Sequence, residues 1–248
     1  MKALRLRPGD TIGVVSPSWG GAAVFPHRLE RGVEYLESRG YRVKLGRNAL
    51  GQLGHVSGTA EQRVADIHEM FADPEVAAIV AAVGGDHSCH LLPHLDFDLI
   101  GENPTIFMGY SDITVLNVAI WQRTGLVTFN GPALITDFAE YPRPFDYTIS
   151  AFERSTCRAE PIGRIQPSKT WTEELLDWRT QQDLTRPRAL AESPGWTWLQ
   201  KGRAEGKLVG GCIESLQHLR GTDYWPELAG RILFLETSEE KPSPAQVD

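Results

Sequence analysis

The sequence is poor in cysteine, it has no run of basic residues, and it has no long apolar stretch. Cys89, Cys157 and Cys212 are its only cysteines in 248 residues. An odd count without metal-ligand spacing argues against a disulfide framework or a zinc site, so no metal and no other cofactor is expected. With 25 basic against 32 acidic residues the formal net charge is −7. Nucleic-acid binders usually show a basic footprint, so nucleic acid is not an expected partner. No apolar run approaches the length of a membrane span. The opening "MKALRLRPGDTIGVV" turns at Pro8-Gly9-Asp10 and offers no continuous apolar region for a signal peptide. The expected compartment is the cytoplasm, with no membrane partner.

What is present is a chain with 41% hydrophobic residues, enough for one large core or two modest ones. "DTIGVVSPSWGG" reads as a buried strand, Thr11 to Val15, running into a Ser/Pro/Gly loop. A helix is expected from Pro26 to Ser38, stopped by Gly40, and then a strand at "YRVKLG". Thr59 or Ser57 can cap the next helix, in which Val64, Ile67 and Phe71 share one face. Strand "AAIVAAVGG", helix "HLLPHL", strand "TIFMG", helix "ITVLNVAIWQRTG" and strand "LVTFNG" follow. Alternation of this kind predicts an α/β fold, a mostly parallel sheet with helices on both faces. Ligands bind such sheets outside the carboxyl ends of the strands. Three loops fall on that rim: Ser16 to Gly21, Gly84 to His87 and Gly109 to Asp112.

From about residue 155 to residue 208 the texture changes to prolines, charges and four of the seven tryptophans. The expected organisation is an N-terminal α/β domain over 1–160, a Trp-rich connection over 161–200, and a smaller, incomplete C-terminal α/β domain over 201–248. In the last part "LVGGCIESLQHLRGT" reads as a Gly turn and a short helix, and "GRILFLE" as a buried strand ending at Glu236.

Ser111 follows a strand and opens a helix. There its hydroxyl can stand clear of the sheet, and the helix N-terminus favours developing negative charge. The match to the G-x-S-x-G elbow is incomplete, because Ile113 stands at the second glycine's place. Taken alone, "GYSD" describes a serine N-cap at least as well. Gly84-Gly85 supplies unobstructed backbone N–H groups of the kind an oxyanion hole needs, with the Asp112 amide as a second donor; a tight turn would use the same pair equally well. Glu236, directly after "ILFL", can orient a histidine as a triad acid or can simply end a strand in solvent.

"GYSDIT", the preceding "GG" with "LLPHLDFDLI", "SGTAEQRVADIHEMFADPEVAAI" and the late "GGCIESLQHLRGT…GRILFLET" together resemble the LD-carboxypeptidase family of serine peptidases. The likeness covers nearly the whole chain in the correct order. It implies Ser111 as nucleophile, Glu236 as triad acid, Gly85 and Asp112 as oxyanion-hole amides, a homodimer, and a small peptide or peptidyl-nucleotide substrate. The Trp-rich connection is more like the microcin-immunity branch than the murein-recycling enzymes, which makes Trp171 and Trp178 candidates for holding a nucleotide-like leaving group. Pinning the connection to a domain is an equally good use of those rings.

A serine nucleophile needs a base. The seven histidines are His27, His55, His68, His87, His90, His94 and His218, and none occupies the family's position C-terminal to the glutamate. His87 is expected at a pocket edge, and His68 within an amphipathic helix, at the surface or at the boundary of the core. Ser243 to Gln246 has the pattern of a capping-box helix start. The expectation is a C-terminal truncation of a protein longer by ~50–100 residues, with the triad histidine beyond residue 248 and the 248-residue chain inactive. Two alternatives stay open: a binding protein that keeps the pocket without the base, and a generic α/β esterase.

Overall fold

The structure, a computed structural model, describes residues 1–238. The helix start expected at Ser243 to Gln246 lies outside the described residues. β1, Thr11–Val15, is buried along its whole length, as an unbroken apolar run covered on both faces should be. It pairs in parallel with β2, Arg42–Leu45, and with β3, Val76–Ala81. β4, Ile106–Gly109, and the two-residue β5, Phe129–Asn130, complete a parallel sheet in the order β2-β1-β3-β4-β5. The order in which successive strands are added reverses between β1 and β3, so the crevice beyond their carboxyl ends is where a ligand site belongs.

Strand periodicity divides the core. Val15, Ile79, Ala81 and Phe107 face one cluster, built with α3, Ala60–Ala72, α4, Phe97–Glu102, and α5, Thr114–Thr124. Ile12, Val14, Ala78, Val80 and Met108 face the other, built with α1, Gly21–Val24, α2, Pro26–Ser38, and α6, Asp146–Thr156. Side chains that alternate across each strand thus bury both faces of the sheet. α2 opens on Pro26 at its first turn, where a missing N–H costs nothing. α3 opens on a reciprocal capping box: the Gln62 amide donates to Thr59 Oγ1 at 3.3 Å, and the Thr59 amide donates to Gln62 Oε1 at 2.9 Å. Replacing such a cap costs about 1 kcal/mol. Val64, Ile67 and Phe71 are buried along the predicted face.

β6, Thr170–Trp171, and β7, Ala191–Glu192, form a small antiparallel pair within the connection. β8, Lys207–Cys212, and β9, Arg231–Glu236, form the parallel sheet of the smaller C-terminal domain. Three local expectations are corrected. "HLLPHL" is a 3-10 turn over Ser88–His94, since Pro93 inside it supplies no backbone donor. Gly210 and Gly211 lie within β8, opposite Phe234 and Leu235, and do not form a turn. There the bare backbone approaches α5, and the Cys212 amide donates to Thr114 Oγ1 at 3.0 Å. β9 is exposed along Ile232 to Leu235, not buried, because among the described residues nothing covers that face of its two-stranded sheet.

Candidate active site

β4 delivers the chain through an extended Tyr110 to Ser111, whose φ is +58°. The left-handed region costs a non-glycine residue about 1 kcal/mol or more, and such strain collects at functional turns. A 3-10 turn, Ser111–Ile113, then leads into α5. Tyr110 and Ile113 hold the cap positions of these two segments. Ser111 stands at the corner itself, on the wall of a cavity of about 840 Å³.

Gly84 faces the serine so closely that a Cβ there would lie 2.9 Å from Ser111 Cβ and 3.0 Å from its Oγ. Gly85, at φ +138°, packs on the preceding loop, where a Cβ would meet Ser18 Oγ at 2.5 Å. The Asp112 amide lies 3.5 Å from that same hypothetical Gly84 Cβ, so the Gly84 backbone packs on the serine turn. Gly84 O is held by the Trp19 amide at 3.0 Å.

Glu236 arrives from the end of β9. Its Oε1 accepts from the Ser111 amide at 3.3 Å and its Oε2 from Asn130 Nδ2 at 3.5 Å. Burial pushes the Glu236 carboxyl above its ordinary range, against those two hydrogen bonds. Cys212 and Glu236 are paired across β8 and β9, so the docking of β8 on α5 is what brings the carboxylate to the serine.

The far wall of the cavity comes from the connection, with Leu176, Trp178 and Arg188. Its anchor is a buried ion pair: Arg28 Nη1 lies 2.9 Å from Asp183 Oδ2, both side chains 2% exposed, and Arg28 also donates to Ile135 O at 2.8 Å. The Arg28 guanidinium sits 4.4 Å from the centre of the Trp178 ring. Arg188 pairs with Glu140 at 2.5 Å. Trp171 is half exposed in β6 and is not on the cavity wall. His87 does line the cavity, as expected of a pocket edge, together with His55. His68 accepts from the Asp96 amide at 2.9 Å on the outer side of α3.

Several residues in and behind the wall escaped the sequence reading. Asp137 is half-buried in a π-turn, Leu134–Phe138, with its carboxyl pushed up by desolvation against hydrogen bonds from the Ala133 amide and Thr136 Oγ1. No local pattern marks it. Ser18 lies in a rim loop that the strand pattern did locate. Arg28 sits on the core-facing side of an amphipathic helix, where a buried arginine signals a hidden partner.

A serine in the left-handed region at a strand-to-helix corner of a parallel sheet, packed beside paired glycines on the wall of a cavity, places the molecule among α/β proteins of the serine-hydrolase class. The chain belongs to the LD-carboxypeptidase family: residues 12–131 match its N-terminal domain and residues 205–248 its C-terminal domain. It is 35% identical over 240 residues to the microcin C7 self-immunity protein MccF of Escherichia coli, covering 96% of this chain and 69% of that protein. It is 38% identical over 242 residues to a probable murein peptide carboxypeptidase of Bacillus subtilis, covering 97% of this chain and 66% of that protein. The solved structure of MccF in complex with glutamyl sulfamoyl guanosine superposes with a TM-score of 0.88 at 34% identity, over 95% of this chain and 70% of that one. Among the described residues no helix is long and apolar enough to cross a membrane.

Proposed function

We propose that the protein is a serine carboxypeptidase that hydrolyses the terminal amide of a small peptide-like substrate. The observation that carries this is Ser111, at φ +58° on the cavity wall with Glu236 Oε1 3.3 Å from its amide. In this reading Ser111 Oγ attacks the amide carbonyl carbon, the amides of Gly85 and Asp112 receive the oxyanion, and a histidine takes the serine proton and passes it to the leaving amine. The family pattern puts that histidine C-terminal to Glu236, beyond residue 248, oriented by the carboxylate. Water then releases the acyl group by the same route. On this reading the 248-residue chain keeps at most the ~10³–10⁴-fold catalysis over water that survives loss of a triad member.

The substrate side of the proposal rests on Trp178. Its ring lies on the cavity wall, and stacking on a nucleobase needs one accessible aromatic face. A peptidyl-nucleotide suits that wall, MccF having been solved with glutamyl sulfamoyl guanosine, with a murein tetrapeptide as the alternative amide. The reading includes a homodimer in the cytoplasm and domain limits at 1–160, 161–200 and 201–248, which sedimentation, fractionation and limited proteolysis test. Ser111→Ala in the full-length protein is expected to abolish hydrolysis of aspartyl sulfamoyl adenosine and of an L,D-tetrapeptide while leaving the melting curve in place. Hydrolysis at the wild-type rate in that variant would remove Ser111 from the mechanism, and binding without cleavage by the wild type would favour a binding protein.

A further inference from the structure

Asp112 is 1% exposed, and a buried carboxylate is costly unless it is hydrogen-bonded. Its Oδ2 accepts from Ser18 Oγ at 2.5 Å and from the Ser88 amide at 2.8 Å, and its backbone oxygen accepts from Ser88 Oγ at 2.8 Å. Ser18 Oγ in turn accepts from the His87 amide at 3.1 Å. Buried Arg63 ties the same loops from below, donating to Pro17 O at 2.5 Å and His87 O at 3.2 Å. Gly84 O, which shares its peptide plane with the Gly85 N–H, accepts from the amide of Trp19, the residue after Ser18, at 3.0 Å.

We infer that the Asp112 side chain is a positioning residue: through Ser18 and Ser88 its carboxylate sets the Gly85 amide opposite the Ser111 turn. The inference rests on the reading of the Gly85 and Asp112 amides as the oxyanion donors. One residue then serves twice, its amide as a donor and its carboxylate as the clamp that holds the other donor at the correct distance. The three loops involved leave β1, β3 and β4, whose carboxyl ends are separate in sequence and adjacent in the sheet. Backbone donors on two different loops stay in register only if something joins the loops, and Asp112 does so with Ser18, each side chain bonding both of the other loops.

The test compares Asp112→Ala, Asp112→Asn and Ser18→Ala in the full-length protein, assayed with whichever of aspartyl sulfamoyl adenosine and an L,D-tetrapeptide the wild type hydrolyses. Asp112→Ala should lower kcat about 10²–10³-fold, the scale of losing one oxyanion donor, with KM within about threefold of wild type. Asp112→Asn keeps an acceptor oxygen and should recover most of the loss, and Ser18→Ala should lose about tenfold in kcat alone. Hydrogen exchange at the amides of residues 85–88 should accelerate in Asp112→Ala and Ser18→Ala. A folded Asp112→Ala with wild-type kcat, or an Asp112→Asn as impaired as the alanine, overturns the inference. If Asp112→Ala does not fold, wild-type kcat in Ser18→Ala overturns it. If the wild type hydrolyses neither probe, or Ser111→Ala matches it, the peptidase reading fails instead, and unchanged exchange at residues 85–88 then decides against the clamp independently.

Discussion

The Ser111 amide donates to Glu236 Oε1 at 3.3 Å, joining residues 125 apart in sequence. This bond links the end of β4 in the large sheet to the end of β9 in the small one. It places a half-buried carboxylate against the strained corner, and the burial raises the carboxyl's affinity for a proton.

Glu236→Gln follows from that placement. Because the folded pKa is raised, the folded state binds more protons than the unfolded state above the ordinary carboxylate range, so this group's contribution is fully present below that range and is lost as pH rises through the raised value. The glutamine variant carries no such loss. Its urea midpoint relative to wild type should therefore improve from about pH 4 to pH 7, while turnover by the full-length protein falls about 10²–10⁴-fold. A midpoint difference that stays constant with pH would show that burial does not perturb Glu236.

Gly84→Ala should inactivate without unfolding. A Cβ at 2.9 Å from Ser111 Cβ cannot be accommodated unless the serine turn or the Gly84 loop shifts. A misplacement of about 1 Å at a reacting group can cost about 10²-fold in rate. The expected result is a kcat loss of that order with a melting temperature near wild type. An alanine variant with unchanged kcat would mean that the serine Oγ works from another position.

Much of this was legible locally. β1, α2 and the Thr59 cap follow from apolar runs, Pro26 and the Thr/Gln spacing, each decided within a few residues. Ser111 and Glu236 were visible because strand ends can be read from where apolar runs stop. The expected turn at Gly210–Gly211 failed because glycine signals both tight turns and close backbone approach, and only the position of α5 separates the two. Asp137, Glu140 and the pairing of Arg28 with Asp183 were not legible, since their partners lie far along the chain or are backbone groups of an irregular turn. Ser18 sat in a recognised rim loop, yet its bond to Asp112 depends on the order of strands in the sheet.

Asp183 tethers the connection to α2, so its removal should be felt in stability. Leaving Arg28 buried without its carboxylate is expected to cost about 3–5 kcal/mol in Asp183→Ala, read from urea unfolding. Pairing Asp183→Leu with Arg28→Met should recover much of that, since apolar replacement of both partners removes the uncompensated charge. Residues 171–192 should also become more sensitive to protease in the single variant. A single variant as stable as wild type would mean that His27 and Arg31, which also contact Asp183, are not part of a stabilising cluster.

Trp178 is where the substrate question can be decided. Arg28 covers one face of its ring at 4.4 Å, and Phe25 meets it edge-on with centroids 5.3 Å apart, so the indole is fixed before any ligand arrives. A fixed ring binds a base with little ordering cost, and base stacking is worth about 1–3 kcal/mol. Trp178→Ala should weaken AMP binding by that amount in calorimetry, and Trp178→Phe by less, with KM for an L,D-tetrapeptide unchanged. If Trp171→Ala weakens AMP binding and Trp178→Ala does not, the base sits against β6 outside the described cavity wall. If neither does, the nucleotide reading falls, and a peptide amide is left as the substrate that the site was built to cut.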